Sequence, residues 1–507
     1  MTILSSGTTY PLTIPAGNAL VTIDLSGTST VTGVTREDAS RWHGTGAKAC
    51  NPVSTATAIT ISTTGQVDYR LVAGDATPSS DSFRYNPVTF DSTPADSAAV
   101  AAALNGLLPS PNIGLFGDSI TSNNGGPGSV PTKTKDNGFF THANALAGSP
   151  CNVVINAGIA GNTTTQMLAR IDTDLLSYSL SACTIMGGTN DLGGTYTVAG
   201  IISNLRAMYQ KCIAKSVYVF ALAILPRPTF GSQAQKDLIT INEWIKHYWA
   251  GSPFGEFVDA FAAIVDPTSS SQAVIANALN TVDNTHPSNV GAYLIGKVLA
   301  PRLTARFSPF ARKLISSAQD CYQNNTQSTN GMRPFNLTGG GTTAGTVTGT
   351  VANGYSATST VNSCVGSLAA RADGFGNDQV FTMTASGAQA LDFYQGGNLI
   401  GAPFAVGDQV VFECVVSVDA GDSNLGRISM YTYSGSGGSG YPSAMDAGST
   451  NYAYPSGAKT WTIVSPVVTI PPGVTDLGAY VHAEFSAAGS ATIRIGRISF
   501  RKQLPSY

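Results

Sequence analysis

The stretch Asn112–Thr121 reads NIGLFGDSIT, an apolar run with the texture of a buried strand, then a glycine, then a serine just past the strand's end. The pattern repeats downstream. The runs VVIN, CTIMGG, SVYVFALAIL and EFVDAF read as further strands, and between them NGFFTHANALAG, TTTQMLARIDTDLL, VAGIISNLRAMYQKCIA and QAQKDLITINEWIKHYW carry apolar residues at helical spacing. Strand and helix in alternation predict a parallel sheet covered by helices on both faces, a three-layer α/β/α domain over residues 96–315. In such sheets ligands bind beyond the carboxyl ends of the strands, so the loops after the apolar runs are where chemistry is to be sought.

On either side the texture changes. Residues 1–95 alternate short Val, Ile and Thr runs (ALVTIDL, TAITIST, VDYRLVAGD) with turn clusters, the pattern of a small β domain suited to an adaptor or attachment role. Residues 320–507 lose the helical period and become rich in Gly, Thr and Ser around QVVFECVVSV, GRISMYTY, TWTIVSPVVTI and ATIRIGRISF, which predicts a C-terminal β-sandwich. A multidomain chain is also what a length of 507 residues leads one to expect.

Charged residues make up 11% of the chain, against roughly a quarter in an average globular protein. The net charge is −3 and no run of Lys or Arg offers a phosphate-neutralising stripe, so nucleic acid is excluded as an expected partner. The N-terminal stretch MTILSSGTTYPLTIPAGNALVTIDLSGTST has neither a positive n-region nor a continuous apolar run, and synthesis in the cytoplasm is the expectation. No apolar run approaches the roughly 18 residues of a span, so no membrane insertion is expected. Seven cysteines (Cys50, Cys151, Cys183, Cys212, Cys321, Cys364 and Cys414) are odd in number and lack CxxC spacing, which argues against a zinc site or a disulfide framework. Buried thiols are expected, with Cys364 and Cys414 the one pair kept as a candidate bridge.

Ser119, at the carboxyl edge of the predicted sheet, is the candidate nucleophile, and a serine needs a base. The chain has five histidines. His43 and His482 fall in the flanking β regions, and His142 and His247 within helical stretches. His286 differs: it stands in VDNTHPSNVGAYLIG, three residues after Asp283, with Pro287 fit to open the following helix. An Asp at that spacing can accept the imidazole Nδ1–H and leave Nε2 unprotonated toward a serine hydroxyl. Acyl transfer also needs donors for an oxyanion. The Gly-rich turn INAGIAGNTT offers Gly161, and IMGGTNDL offers the side-chain amide of Asn190, both after predicted strands and beside the Ser119 N–H. Asn123, Asn162 and Arg227 are candidate substrate contacts from the same loops.

GDSI, NAGIAGN, GGTND and DNTHP occur in that order, and the joint pattern over residues 110–305 resembles the SGNH (GDSL) hydrolase superfamily. By that resemblance Ser119 corresponds to the block I serine, Gly161 to the block II glycine, Asn190 to the block III asparagine, and Asp283 and His286 to the block V pair. It implies a serine esterase with triad Ser119, Asp283 and His286, an oxyanion hole of Ser119, Gly161 and Asn190, and no metal or organic cofactor. Thr121 stands where the nucleophile elbow GxSxG of α/β-hydrolases has its second glycine, so that fold is not indicated.

The family does not choose a substrate. No amphipathic membrane-binding helix is evident, which disfavours a lipase. The C-terminal region resembles carbohydrate-binding jelly-roll modules, with Tyr394, Tyr431, Tyr433, Tyr441 and Tyr454 as candidates for stacking on sugars. β regions flanking an esterase in a neutral Gly/Thr/Ser-rich chain resemble a bacteriophage tail fibre or tailspike. That resemblance implies an O-acetylated surface polysaccharide as substrate, phage tail proteins as partners, a homotrimer, and a place in the virion. A secreted bacterial carbohydrate acetylesterase or general lipolytic esterase, and a receptor-binding adhesin with little turnover, are the alternatives.

Overall fold

In the computed structural model, residues 108–126, 128, 133–269, 281–307, 319–322, 328, 331–332, 339–395, 403–433, 443–448, 451–474 and 477–502 are described, together with the backbone of seven strands between Thr2 and Ala73. Contacts divide the chain into two units, Met1–Leu104 and Asn105–Tyr507. The first holds β1 (Thr2–Leu4), β2 (Thr8–Ile14), β3 (Asn18–Asp24), β4 (Thr30–Thr32), β5 (Gly46–Ala49), β6 (Thr57–Thr63) and β7 (Val67–Ala73). They pair as two antiparallel sheets, β1-β7-β3-β5 and β2-β6-β4.

The second unit begins with β8 (Asn112–Gly117), followed by β9 (Lys133–Lys135), β10 (Asn152–Gly158), β11 (Ala182–Met186), β12 (Tyr218–Leu222) and β13 (Gly255–Val258). All but β9 form a five-stranded sheet, wholly parallel, in the order β10-β8-β11-β12-β13. Its helices are α1 (Ser119–Ser122), α2 (Phe139–Leu146), α3 (Thr164–Asp174), α4 (Thr189–Leu192), α5 (Val198–Ala214), α6 (Ser232–Trp249) and α7 (Asn289–Arg306).

Alternation along β8 explains the two helical layers. Phe116 faces a core with Met167 and Ile171 of α3, Leu205 and Met208 of α5 and Leu238 and Ile241 of α6, whereas Ile113 and Leu115 face Phe139 and Phe140 of α2 and Ile295 and Leu299 of α7. Burying each such side chain contributes about 1.5–3 kcal/mol, so both layers are held strongly. The expected three-layer α/β/α arrangement is therefore present. Because β10 lies on one side of β8 and β11 on the other, the strand order reverses at β8, and the carboxyl end of that strand opens into the crevice where such folds bind ligands.

The C-terminal strands differ from the expected sandwich. They are β14 (Thr342–Gly349), β15 (Ser356–Ala370), β16 (Asn377–Ala385), β17 (Ala390–Gln395), β18 (Gln409–Val418), β19 (Leu425–Tyr433), β20 (Ser443–Asp446), β21 (Lys459–Val464), β22 (Val468–Thr469), β23 (Gly478–Phe485) and β24 (Gly489–Lys502). With β9 they make one continuous twelve-stranded sheet, curled around a core that includes Phe381, Phe393, Phe412 and Trp461. Long strands make the continuity possible: β15 pairs with β17 through Ser356–Ser359 and with β16 through Ser363–Ala370, passing from one layer to the other without breaking the ladder.

The α/β region and this sheet are joined in three ways. β9 adds in parallel to the edge of β20, Lys133 opposite Ser443 and Lys135 opposite Asp446. Ala145, Val290 and Tyr293 belong to the same apolar core as Trp461, and His142 meets the rings of Tyr293 and Tyr454 edge-on at 5.7 Å. Asp136, fully buried, accepts from Arg427 Nε at 3.0 Å and from the Gly448 N–H at 2.6 Å. Cys364 and Cys414 form no bridge; both lie as thiols at 0% exposure in the core of the curled sheet. Cys50 lies outside the described residues. No helix among the described residues is long and apolar enough to cross a membrane.

Candidate active site

Ser119 is the first residue of α1, directly beyond β8. Asp118 caps the helix, its Oδ1 accepting the Ile120 N–H at 2.9 Å, which leaves the Ser119 N–H at a position for which the helix itself offers no acceptor. Gly117 is required by close approach rather than by an unusual turn: a Cβ there would collide with the Met186 carbonyl on β11 and with Thr121. The serine is thus presented half-buried on a tightly packed strand end.

His286 reaches it from the other end of the α/β region. Its Nε2 lies 2.8 Å from Ser119 Oγ, and its Nδ1 2.7 Å from Asp283 Oδ2. The second Asp283 oxygen accepts the backbone N–H groups of His286 at 2.8 Å and Thr285 at 3.0 Å. The loop is closed below by Val282 N–H donating to His286 O at 3.0 Å, with Asn284 in the left-handed region at φ 64°. Ser288, not Pro287, caps α7, its hydroxyl accepting the Gly291 N–H at 3.2 Å; the proline stands one residue before the cap. Partial burial opposes the charge on Asp283, but the hydrogen bonds from the His286 backbone and ring outweigh it and hold the carboxyl below its ordinary range. An Nδ1–H given to this carboxylate leaves Nε2 free to take the serine proton.

The other described histidines do not compete. His142 is buried with Nε2 2.7 Å from Asp136 O, and desolvation pushes its pKa down to about 4. His247 is exposed at the end of α6, and His482 is held by Asp392 at 2.7 Å on the curled sheet. His43 lies outside the described residues.

The oxyanion candidates follow neighbouring strands of the sheet, Gly161 after β10 and Asn190 after β11, on either side of β8. Gly161 adopts φ 79°, a conformation open to glycine, and no atom crowds the position a Cβ would take. Asn190, on α4 after β11, donates one Nδ2–H to the Asn162 carbonyl at 3.0 Å and retains a second N–H. Asp191 beside it accepts from Thr164 N at 2.8 Å and Thr164 Oγ1 at 2.6 Å, tying α4 to the start of α3.

The three substrate candidates fare differently. Asn123 closes α1, its backbone N–H donating to Ser119 O at 3.1 Å. The Asn162 side chain is taken within the protein, accepting Arg170 Nε at 2.7 Å. Arg227 stacks over Phe230 at 4.9 Å and donates to Thr229 Oγ1 at 3.2 Å. Two residues of consequence were not singled out in the sequence, Asp118 and Arg170. Burial raises the Asp118 carboxyl to about 6 although the Ile120 N–H and His286 favour its charge; its place inside the GDS motif was the available signal.

Among the described aromatic candidates, the rings are engaged within the protein. Tyr394, Tyr480 and Tyr431 stand opposite one another on β17, β23 and β19 and stack mutually at 4.7 and 5.3 Å, so their ring faces are largely spent on each other. Tyr454 is buried in the core. The side chains of Tyr433 and Tyr441 lie outside the described residues.

No curated protein matches the chain. Among solved structures it is similar to a GDSL-like lipase from Bacteroides thetaiotaomicron (21% identity, 41% of this chain and 97% of that one, TM-score 0.31). A lipase/acylhydrolase from Enterococcus faecalis gives 22% identity over 39% of this chain and 98% of that one, with a TM-score of 0.31. A variant of an acetyl-xylooligosaccharide esterase from Geobacillus gives 20% identity over 39% and 95%, with a TM-score of 0.32. Residues 115–294 match the GDSL-like Lipase/Acylhydrolase family, and they constitute a domain of that family, whose members are hydrolases acting on esters.

Proposed function

We propose that the chain is a serine esterase that removes small acyl groups, acetyl above all, from a polysaccharide. The observation that carries the chemistry is the contact of His286 Nε2 with Ser119 Oγ at 2.8 Å, backed by Asp283. His286 takes the Ser119 proton as Oγ attacks the ester carbonyl; the carbonyl oxygen, now negative, receives the N–H groups of Ser119, Gly161 and Asn190. The imidazolium then protonates the departing alcohol, leaving an acyl-serine. Water, deprotonated by the same imidazole, attacks that ester and restores Ser119.

Support for a bulky, polar alcohol comes from exposure: the His286 side chain is 30% and that of Asp283 51% accessible, so the reacting centre lies near the surface, where an acetyl group borne on a polymer can reach it. The low charge and the β regions on both sides support a bacterial capsule or O-antigen as the polymer and a phage tail as the setting. The test is acetate release, followed by NMR, from O-acetylated capsule or O-antigen incubated with the purified chain. Acetate release that Ser119→Ala abolishes is expected. Turnover of long-chain esters with no acetate from any acetylated glycan would overturn the substrate class, and activity surviving in Ser119→Ala would overturn the nucleophile.

A further inference from the structure

Arg170 sits on α3 with a side chain only 13% exposed. Its guanidinium donates in four directions: Nε to Asn162 Oδ1 at 2.7 Å, Nη1 to Ala157 O at 2.9 Å and to Asp174 Oδ2 at 3.1 Å, and Nη2 to Gly117 O at 2.8 Å. Its Cζ lies 4.5 Å from the centre of the Phe116 ring. These acceptors are not scattered. Gly117 O ends β8 and precedes the Asp118–Ser119 turn, and it also accepts the Ile159 N–H at 3.1 Å. Ala157 O lies at the end of β10. Asn162 follows Gly161, and its own carbonyl accepts from Asn190.

We propose that Arg170 is a positioning residue that holds the three oxyanion donors in register, acting through Gly117 on the Ser119 turn and through Asn162 on Gly161 and Asn190. The proposal rests on the esterase reading given above. A planar fork is needed because the acceptors diverge; a lysine ammonium, a point charge on a flexible stem, cannot span the Gly117 carbonyl, the Ala157 carbonyl and the Asn162 amide together. Donors displaced by an ångström or less lose much of their hold on the transition state while ground-state binding, governed by the rest of the surface, changes little.

The experiment uses the full chain with p-nitrophenyl acetate, rates being divided by the serine titrated with an activated phosphonate. Arg170→Gln and Arg170→Lys should each lower kcat about 10- to 100-fold, with KM within about twofold of the parent. The pH profile should keep its shape, since His286 is untouched. Asn162→Ala cuts the link without removing the charge, so it tests the idea even where the Arg170 variants fold poorly; it should lower kcat, and the double variant Arg170→Gln/Asn162→Ala should be no slower than Arg170→Gln alone. An unchanged kcat per titrated serine in Asn162→Ala or Arg170→Gln, with or without a fall in melting temperature, would overturn the proposal while the esterase reading stands. A parent chain that neither turns over nor is labelled at Ser119 would overturn both.

Discussion

Ser119 Oγ and His286 Nε2 lie 2.8 Å apart although 167 residues separate them in sequence. The contact is made by the β8–α1 junction and the loop that precedes α7, so it is a product of topology. Since serine and imidazole act as a unit, Ser119→Ala and His286→Ala should each lower kcat on an acetyl ester by roughly 10⁴-fold or more, and the double variant should be little worse than either. Asp283→Asn should cost less, because this carboxylate is half exposed and water can partly replace it. Steady-state kinetics with far-UV circular dichroism to check folding decides the matter; losses that simply multiply in the double variant would contradict a coupled pair.

Asn190 offers a second measurement. If its amide stabilises the oxyanion, Asn190→Ala should lower kcat by about 100- to 1,000-fold with KM little changed. Because the same amide also donates to Asn162 O, some of that loss will be loop displacement. Asn190→Asp, nearly isosteric but bringing negative charge toward a developing anion, should be at least as slow. A kcat in Asn190→Asp close to the parent's would remove Asn190 from the hole.

The sequence pattern made the site legible where function is written into short local motifs. Ser119, Gly161 and Asn190 each follow an apolar strand, and the three-residue spacing of Asp283 and His286 is met in the structure by one tight loop. The α/β/α layering was legible for the same reason, from the period of its apolar residues. What was not legible depended on partners far apart in the chain. KTK at Lys133–Lys135 has no strand-like alternation of its own and pairs with β20; Tyr454, a candidate for stacking on sugars, is buried against His142 and Tyr293. The curled single sheet escaped notice because alternation reports which face of a strand is buried, not whether two layers share a ladder.

The junction between the two regions gives a third prediction. Desolvation pushes the Asp136 carboxyl up, against Arg427, which favours its charge. Removing the guanidinium by Arg427→Met strands a charge at 0% exposure, which should cost about 3–5 kcal/mol. Asp136→Asn added to Arg427→Met should recover much of the loss, since the amide oxygen can still accept the Gly448 N–H. Urea unfolding of the four proteins closes the cycle. Equal and additive losses would mean the ion pair does not couple the regions.

Asp118 yields a prediction about pH. Its carboxyl titrates near 6 in the folded chain, against about 3.9 in an unstructured one, so the folded state holds an extra proton between those values. Stability must then fall as pH rises from about 4 through about 6, by at most about 3 kcal/mol, and remain lower above that window. Asp118→Asn cannot ionise, yet its side-chain oxygen can still accept the Ile120 N–H. Any fixed cost of placing an amide where Oδ2 has no partner is the same at every pH. Relative to the parent, the variant should therefore gain stability between pH 4 and pH 8, read as a rising difference in urea midpoints. A difference that stays flat, or moves against the variant as pH rises, would show that the buried carboxyl is not neutralised at low pH and that the charge beside Ser119 is stabilised by contacts other than those of Ile120 and His286.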